Sequence, residues 1–223
     1  MGLPEDWRYQ PVGSASGMTL HENQTLLIEM QACRSREFMT FAAPLMREAF
    51  DRTGSEWDAE NLHLVYSRVE PSFIRVDADE VTYPAHVILR YRLEKALISD
   101  DLTLSDLPSA WNDGIEGLLG IRPPDDRLGC LQDIHWYDGA WGYFSTYTMG
   151  ALAAAQLFAA ANEVLPEIPA AIARGDFSPL ISWMKDNLHA RASFASTDEL
   201  IKTATGHPLD TEAFKAHLRA RYG

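Results

Sequence analysis

The chain has 223 residues, a formal net charge of −13, 46% hydrophobic and 23% charged residues, the ordinary mix of a soluble globular protein. The acidic balance argues against nucleic acid and anionic membranes as partners, because phosphate binding needs basic patches. The longest apolar run, Met149 to Ala155, falls well short of the roughly 20 residues of a membrane span.

The positive charges, such as Arg34, Arg36, Arg90 and Arg92, are scattered and read as solvated helix faces or ion pairs. Two distant cysteines, Cys33 and Cys130, predict reduced thiols and a cytoplasmic setting. The opening Met1 to Asp6 has no basic n-region or apolar h-region, which predicts no signal peptide.

Residues 4–17 are rich in Pro, Gly and Ser without a period and read as a loop. From Thr19 the spacing of Leu20, Leu27, Met30 and Phe38 predicts a helix, or a broken helix pair, to about Arg52, stopped by Thr53-Gly54-Ser55. Leu62 to Val69 alternates weakly and is β-branched and aromatic, and Phe73 to Val76 is similar; with Glu70-Pro71-Ser72 between them, a short hairpin is predicted. Asp79 opens a helix to about Ile98, and Pro84 moves its start toward Thr82. Ser105 to Leu119 is the next helix, and Gly120 to Asp126 a loop. Leu128 to Trp141 has no clean period, Tyr143 to Ala161 is an Ala-rich buried helix, and three or four shorter amphipathic helices fill Pro166 to Tyr222. The fold class is mainly α, a multi-helix single domain over residues 1–223 with one small β-hairpin or sheet element near the site.

Three clusters carry possible chemistry. His21-Glu22-Asn23-Gln24 offers a carboxylate that suits zinc, usually beside two histidines; it equally reads as a first-turn Glu stabilised by the helix dipole. Ile74 to Asp79 places Arg75 where a guanidinium can grip a carboxylate through two parallel hydrogen bonds, or form a structural Arg–Asp pair. Gly129 to Trp136, followed by Tyr137 to Phe144, gathers Gln, Asp, His and aromatics that are costly to bury without purpose. That stretch suits proton handling or oriented hydrogen bonding, or an aromatic core segment around one satisfied His. His63 sits in the predicted strand and His86 in a helix; His189, His207 and His217 read as surface residues. The 223 residues contain no HExxH, no CxxC pair, no glycine-rich phosphate loop and no GxSxG.

In order and spacing, "LPEDWRYQPVG", "HENQTLLIE" with "RSREF", "VEPSFIRVDADEVTYPAHVILRYRLEK", "GIRPPDDRLGCLQDIHW" and "GYFSTYTMGALAAAQLF" together resemble the C-terminal half of the carboxypeptidase Taq family of zinc metallocarboxypeptidases. The resemblance implies a mainly helical fold with a deep groove and a small sheet beside the site. It also implies removal of single residues from peptide C-termini with broad specificity, and a homodimer. By position, Glu22 matches a zinc ligand, although Asn23 stands where the family usually has Ser. Arg75 matches the residue that holds the substrate carboxylate, and Gln132, His135 and Trp136 match the active-site motif. Tyr147, or Tyr143, matches a tyrosine that helps hold substrate. The sites implied are therefore His135 and Tyr147 as catalytic, Arg75, Gln132, Trp136 and Tyr143 as substrate-binding, and Glu22 as metal-binding.

In the family, HExxH supplies two zinc histidines and the general base just upstream of the "LPEDWRYQPVG" equivalent. The chain thus resembles a truncated portion, expected to bind zinc weakly or not at all and to be inactive alone. The competing expectation is a helical module without catalysis that binds peptide carboxylates through Arg75 or serves dimerisation.

Overall fold

The structure, a computed structural model, describes residues 3–223. Met1 and Gly2, the first residues of the stretch read as lacking a signal peptide, lie outside the described residues. The chain divides into two compact units, one comprising residues up to 67 together with 149–223, the other residues 68–148.

In the first unit, short 3-10 turns at Glu5–Trp7 and Pro11–Gly13 punctuate the predicted loop. Helix α1 (Met18–Leu26) continues without a break into a π-helical segment, Leu27–Cys33. Ser35 then starts α2 (Arg36–Ala49), its hydroxyl accepting from the Phe38 amide at 3.1 Å. This is the predicted broken pair, and the break is a change of helix type rather than a turn alone. Arg221, on the last helix, donates to the carbonyls of Met30 at 2.5 Å and Gln31 at 3.3 Å, so the π segment has side-chain support.

The predicted hairpin is absent: no described residue is in a β-strand. Residues 59–66 form α3 (Ala59–Tyr66), and Arg75–Asp77 is a 3-10 turn. The physical reason is packing. A lone two-stranded hairpin is marginal in water, whereas α3 buries Leu62 against Met39 and Ala43 of α2. Arg47 fastens the α2–α3 connection, donating to Asp58 Oδ1 at 2.8 Å and the Thr53 carbonyl at 2.9 Å. In the second segment the Arg75 amide donates to the Gln132 side chain at 3.0 Å instead of to a neighbouring strand.

Helix α6 (Ser145–Val164) buries Ala151, Ala153, Ala154, Leu157 and Ala161. Gly150 explains the small residues. A Cβ there would lie 2.8 Å from the Cβ of Glu22 and 3.2 Å from the Asn23 amide, so α1 and α6 are in backbone contact at the first candidate motif. Helices α7 (Ile168–Ile172), α8 (Ser178–Asn187), α9 (Thr197–Thr205) and α10 (Glu212–Tyr222) complete the unit. A reciprocal Ser196–Glu199 capping box starts α9.

In the second unit, Asp79 accepts from the amides of Val81 and Thr82, both at 2.9 Å, and so caps the entry to α4 (Tyr83–Ile98), with Pro84 in its first turn. Helix α5 (Leu107–Leu119) ends at left-handed Gly120, φ 70°. Leu89, Leu93, Leu107, Trp111, Ile115 and Cys130 form the core between α4, α5 and the following loop. The aperiodic residues 128–144 fold as successive turns, and the Gly142 amide is anchored to Glu94 Oε1 at 2.6 Å.

A strand would put Leu62 and Leu64 on one face; the helix buries Leu62 and leaves Leu64 57% exposed. Leu62→Ala is therefore expected to lower unfolding free energy by about 2–4 kcal/mol, and Leu64→Ala by about 0.5 kcal/mol or less. Urea denaturation of the two variants checks this, and equal losses would contradict the helix.

Candidate active site

Asp133 organises the second unit's polar interior. Arg75 donates to it through Nη2 at 2.7 Å and through Nε at 3.2 and 3.3 Å. Arg90, from α4, donates its Nε to the other carboxylate oxygen. Both guanidiniums are buried, Arg75 5% and Arg90 0% exposed. Of the two readings open to Arg90 from sequence, a solvated helix face or an ion pair, the structure shows the ion pair, and places it in the core.

Gln132 is the hub beside this pair. Its Oε1 accepts from the Arg75 amide at 3.0 Å and from Arg90 Nη2 at 2.8 Å. Its Nε2 donates to the carbonyls of Phe73 at 2.8 Å and Leu128 at 3.0 Å. A side chain saturated on both ends locks the 73–75 turn to the 128–133 loop. This accounts for a Gln and an Asp side by side in an aperiodic stretch.

The aromatics are equally ordered. The Arg75 guanidinium lies over the Tyr147 ring, 4.7 Å from its centroid, and that of Arg90 over Trp111 at 4.5 Å. His135 Nε2 and the Tyr147 hydroxyl are 2.9 Å apart, and the His135 ring packs on Phe144 at 4.6 Å and Tyr143 at 5.4 Å. Trp136 points to different company, stacking on Trp141 at 5.7 Å and meeting Trp111 edge-on at 6.2 Å. Arg75, Gln132, His135, Tyr143 and Tyr147 are thus gathered into one cluster, with Trp136 on its core-facing side. Asp133, the carboxylate of the aperiodic sequence cluster, belongs to it as well, as do Arg90, Tyr83 and Phe144, to which the sequence alone assigns no site role.

The electrostatics follow from burial and pairing. Burial pushes the Asp133 carboxyl up, but the hydrogen bonds from Arg75 and the charges of both arginines outweigh it and hold the carboxyl below its ordinary range. Burial pulls Arg90 down to about 10 against the attraction of Asp133. His135 is lowered by burial and by the Arg75 charge, which favours a neutral imidazole. His86, wholly buried on α4, is lowered to about 4 by burial and by Arg90 and Arg75.

The family model described as Carboxypeptidase Taq (M32) metallopeptidase matches residues 1–222. The chain belongs to the carboxypeptidase Taq family. It is 38% identical over 221 residues to thermostable carboxypeptidase 1 of Thermus thermophilus, covering 99% of this chain and 43% of that one. It is 36% identical over 218 residues to thermostable carboxypeptidase 1 of Pyrococcus furiosus, covering 98% and 44%. Among solved structures, Trypanosoma cruzi metallocarboxypeptidase 1 superposes with a TM-score of 0.94 at 38% identity, covering 98% of this chain and 46% of that one. The chain therefore spans less than half the length of the relatives it matches.

The family's metal needs a donor set, and these residues do not complete one. Among the described residues no three His, Cys, Asp or Glu side chains converge on a metal position. Glu22 is half-buried on α1 in the first unit, its backbone against Gly150. The other candidate site residues lie in the second unit.

Two outcomes are expected from this electrostatic arrangement. Asp133→Asn leaves two buried guanidiniums without their counter-charge and should cost about 3–5 kcal/mol of stability, read by denaturant titration. His86 has a folded pKa of about 4 against 6.5 unfolded. Its neutral form therefore contributes stability fully above about pH 6.5, and that contribution is lost as pH falls toward 4, about 3 kcal/mol in all. A His86→Phe variant should show a shallower loss of stability between pH 7 and 4, and an unchanged pH slope would refute the assignment.

Proposed function

We propose that this chain is the carboxylate-recognising portion of a zinc metallocarboxypeptidase that removes single residues from peptide C-termini with broad specificity. The observation that carries this reading is the state of Arg75. Asp133 fixes its guanidinium from one side and Tyr147 supports its face, while among the described residues Nη1 meets the Tyr83 hydroxyl at a long 3.5 Å. That edge can take a peptide's terminal carboxylate in a charge-assisted hydrogen bond. Gln132 holds the Arg75 backbone in place. The neutral His135 and its Tyr147 partner form a hydrogen-bonding pair beside that edge, suited to orienting the substrate and handling a proton. Tyr143 packs on both His135 and Tyr147, and Trp136 backs the cluster from its core-facing side.

In this reading Glu22 is one zinc ligand, and the two histidines and the base come from residues outside these 223. Zinc, when bound by the complete set, would polarise the scissile carbonyl and activate water. The single domain over residues 1–223, the homodimer and the cytoplasmic setting belong to the same proposal. Exposed Leu45, Phe50, Leu64 and Val65 in the first unit support association, and the two free cysteines support a reducing compartment. No helix among the described residues is long and apolar enough to cross a membrane.

A second reading is a carboxylate-binding or dimerisation module without catalysis. One experiment separates them. Supplied with zinc and a peptide, the chain alone is expected to release no amino acid. Adding the HExxH-bearing half of a relative should restore release of one C-terminal residue. In that mixture Arg75→Ala should lower kcat/KM by roughly 10²-fold, the cost of a lost buried charge contact, and Glu22→Gln should abolish turnover. Release by the chain alone would contradict the expected inactivity, no restoration would favour the module, and an indifferent Arg75→Ala would remove the carboxylate assignment.

A further inference from the structure

The first unit contains a cavity of about 600 Å³ walled by α6, α7, α10 and the π-helical segment, within the range of small-molecule pockets. Two of its lining residues have unmet hydrogen-bonding capacity. Gln31, 3% exposed, has its Nε2 buried without an acceptor. Asn162 donates Nδ2 to the Phe158 carbonyl at 2.8 Å, while its Oδ1 is buried without a donor. Leaving such a group unpaired is costly, and folded proteins leave few of them. Here two residues that line one cavity each keep an unpaired amide atom, a donor on Gln31 and an acceptor on Asn162, buried just behind its wall.

The surroundings point the same way. Gln31 sits on the π-helical segment, a form of backbone often found at functional sites, and Arg221 holds that segment's carbonyls in place. The remaining wall is largely small and apolar, including Ala155, Ala159 and Ala216. Ionisable lining residues of both signs, Glu37 and Arg221, give no excess charge to select an ion.

We propose that this cavity binds a small neutral molecule carrying an amide on an apolar body. The ligand carbonyl accepts from Gln31 Nε2, and the ligand N–H donates to Asn162 Oδ1. Terminal amide torsions are broad, so both groups can turn toward the cavity. The apolar body lies on the alanine wall. The site differs in chemistry from the Arg75 cluster, which selects a carboxylate.

The test is a titration of the full chain with N-acetyl-L-leucinamide, followed by side-chain amide resonances in ¹H–¹⁵N NMR spectra. The Gln31 and Asn162 amide signals should shift saturably. Gln31→Met, close in shape but without the donor, should weaken binding by about tenfold, the loss of one hydrogen bond. Ala159→Trp, at an exposed lining position, should fill the cavity and abolish the shifts while leaving the fold intact by circular dichroism. No saturable shift at millimolar ligand, or equal affinity in a folded Ala159→Trp, would overturn the proposal.

Discussion

The Arg75 cluster in the second unit depends on one carboxylate facing two buried guanidiniums. Isolated, either guanidinium would be prohibitively expensive away from water. Asp133 makes both tolerable, and Gln132 and the rings of Tyr147, Trp111 and Phe144 fill the remaining contacts. Charge is nonetheless not balanced within that triad: two cations meet one anion. The surplus positive charge is an asset if an anion is the ligand. It also explains why the nearby imidazoles of His86 and His135 are driven toward their neutral forms, since a further cation would be repelled.

That division of labour separates support from recognition. Arg90 is sealed between Asp133, Gln132 and Trp111, with its Nη1 on the His86 carbonyl at 2.9 Å, and has a structural task. Arg75 shares the same carboxylate but keeps one edge lightly bonded. Two arginines on one aspartate thus differ in their hydrogen-bond complements, and the recognition role proposed for Arg75 rests on that difference. The aromatic cage matters for the same reason. Rings stabilise a guanidinium face without consuming its N–H donors, leaving those donors for a carboxylate.

Much of this was legible in the sequence, for identifiable reasons. Helices with strong boundary signals were read correctly: Thr82 with Pro84 for α4, Gly120 for the end of α5, and the Ala-rich run of α6. The broken helix at residues 18–49 was visible as a pattern that drifts, though its π-helical character was not, because composition does not encode helix type. The hairpin failed where local propensity met tertiary packing. Leu62-His63-Leu64-Val65 has β-forming composition, but α2 offered an apolar face with the helical period. For Arg90 the sequence leaves a solvated face and an ion pair both open, because a single arginine on a helix carries no mark of its partner, and Asp133 lies 43 residues away along the chain. Arg75, Gln132 and His135 were visible only because motif spacing made them a set.

The two candidate clusters, one in each unit, are held by different physics. The Arg75 cluster is fixed by charge and saturated hydrogen bonds, which tolerate no loss of a partner but are set by side chains alone. Glu22 is fixed by backbone approach: Gly150 lets α6 come within contact distance of the α1 main chain at that residue. A Cβ at position 150 would have to push α1 away, and with it the Glu22 carboxylate, by several tenths of an ångström. For the metal role proposed for Glu22, the consequence is that the Cα from which the carboxylate projects is positioned by steric contact between two helices rather than by charge.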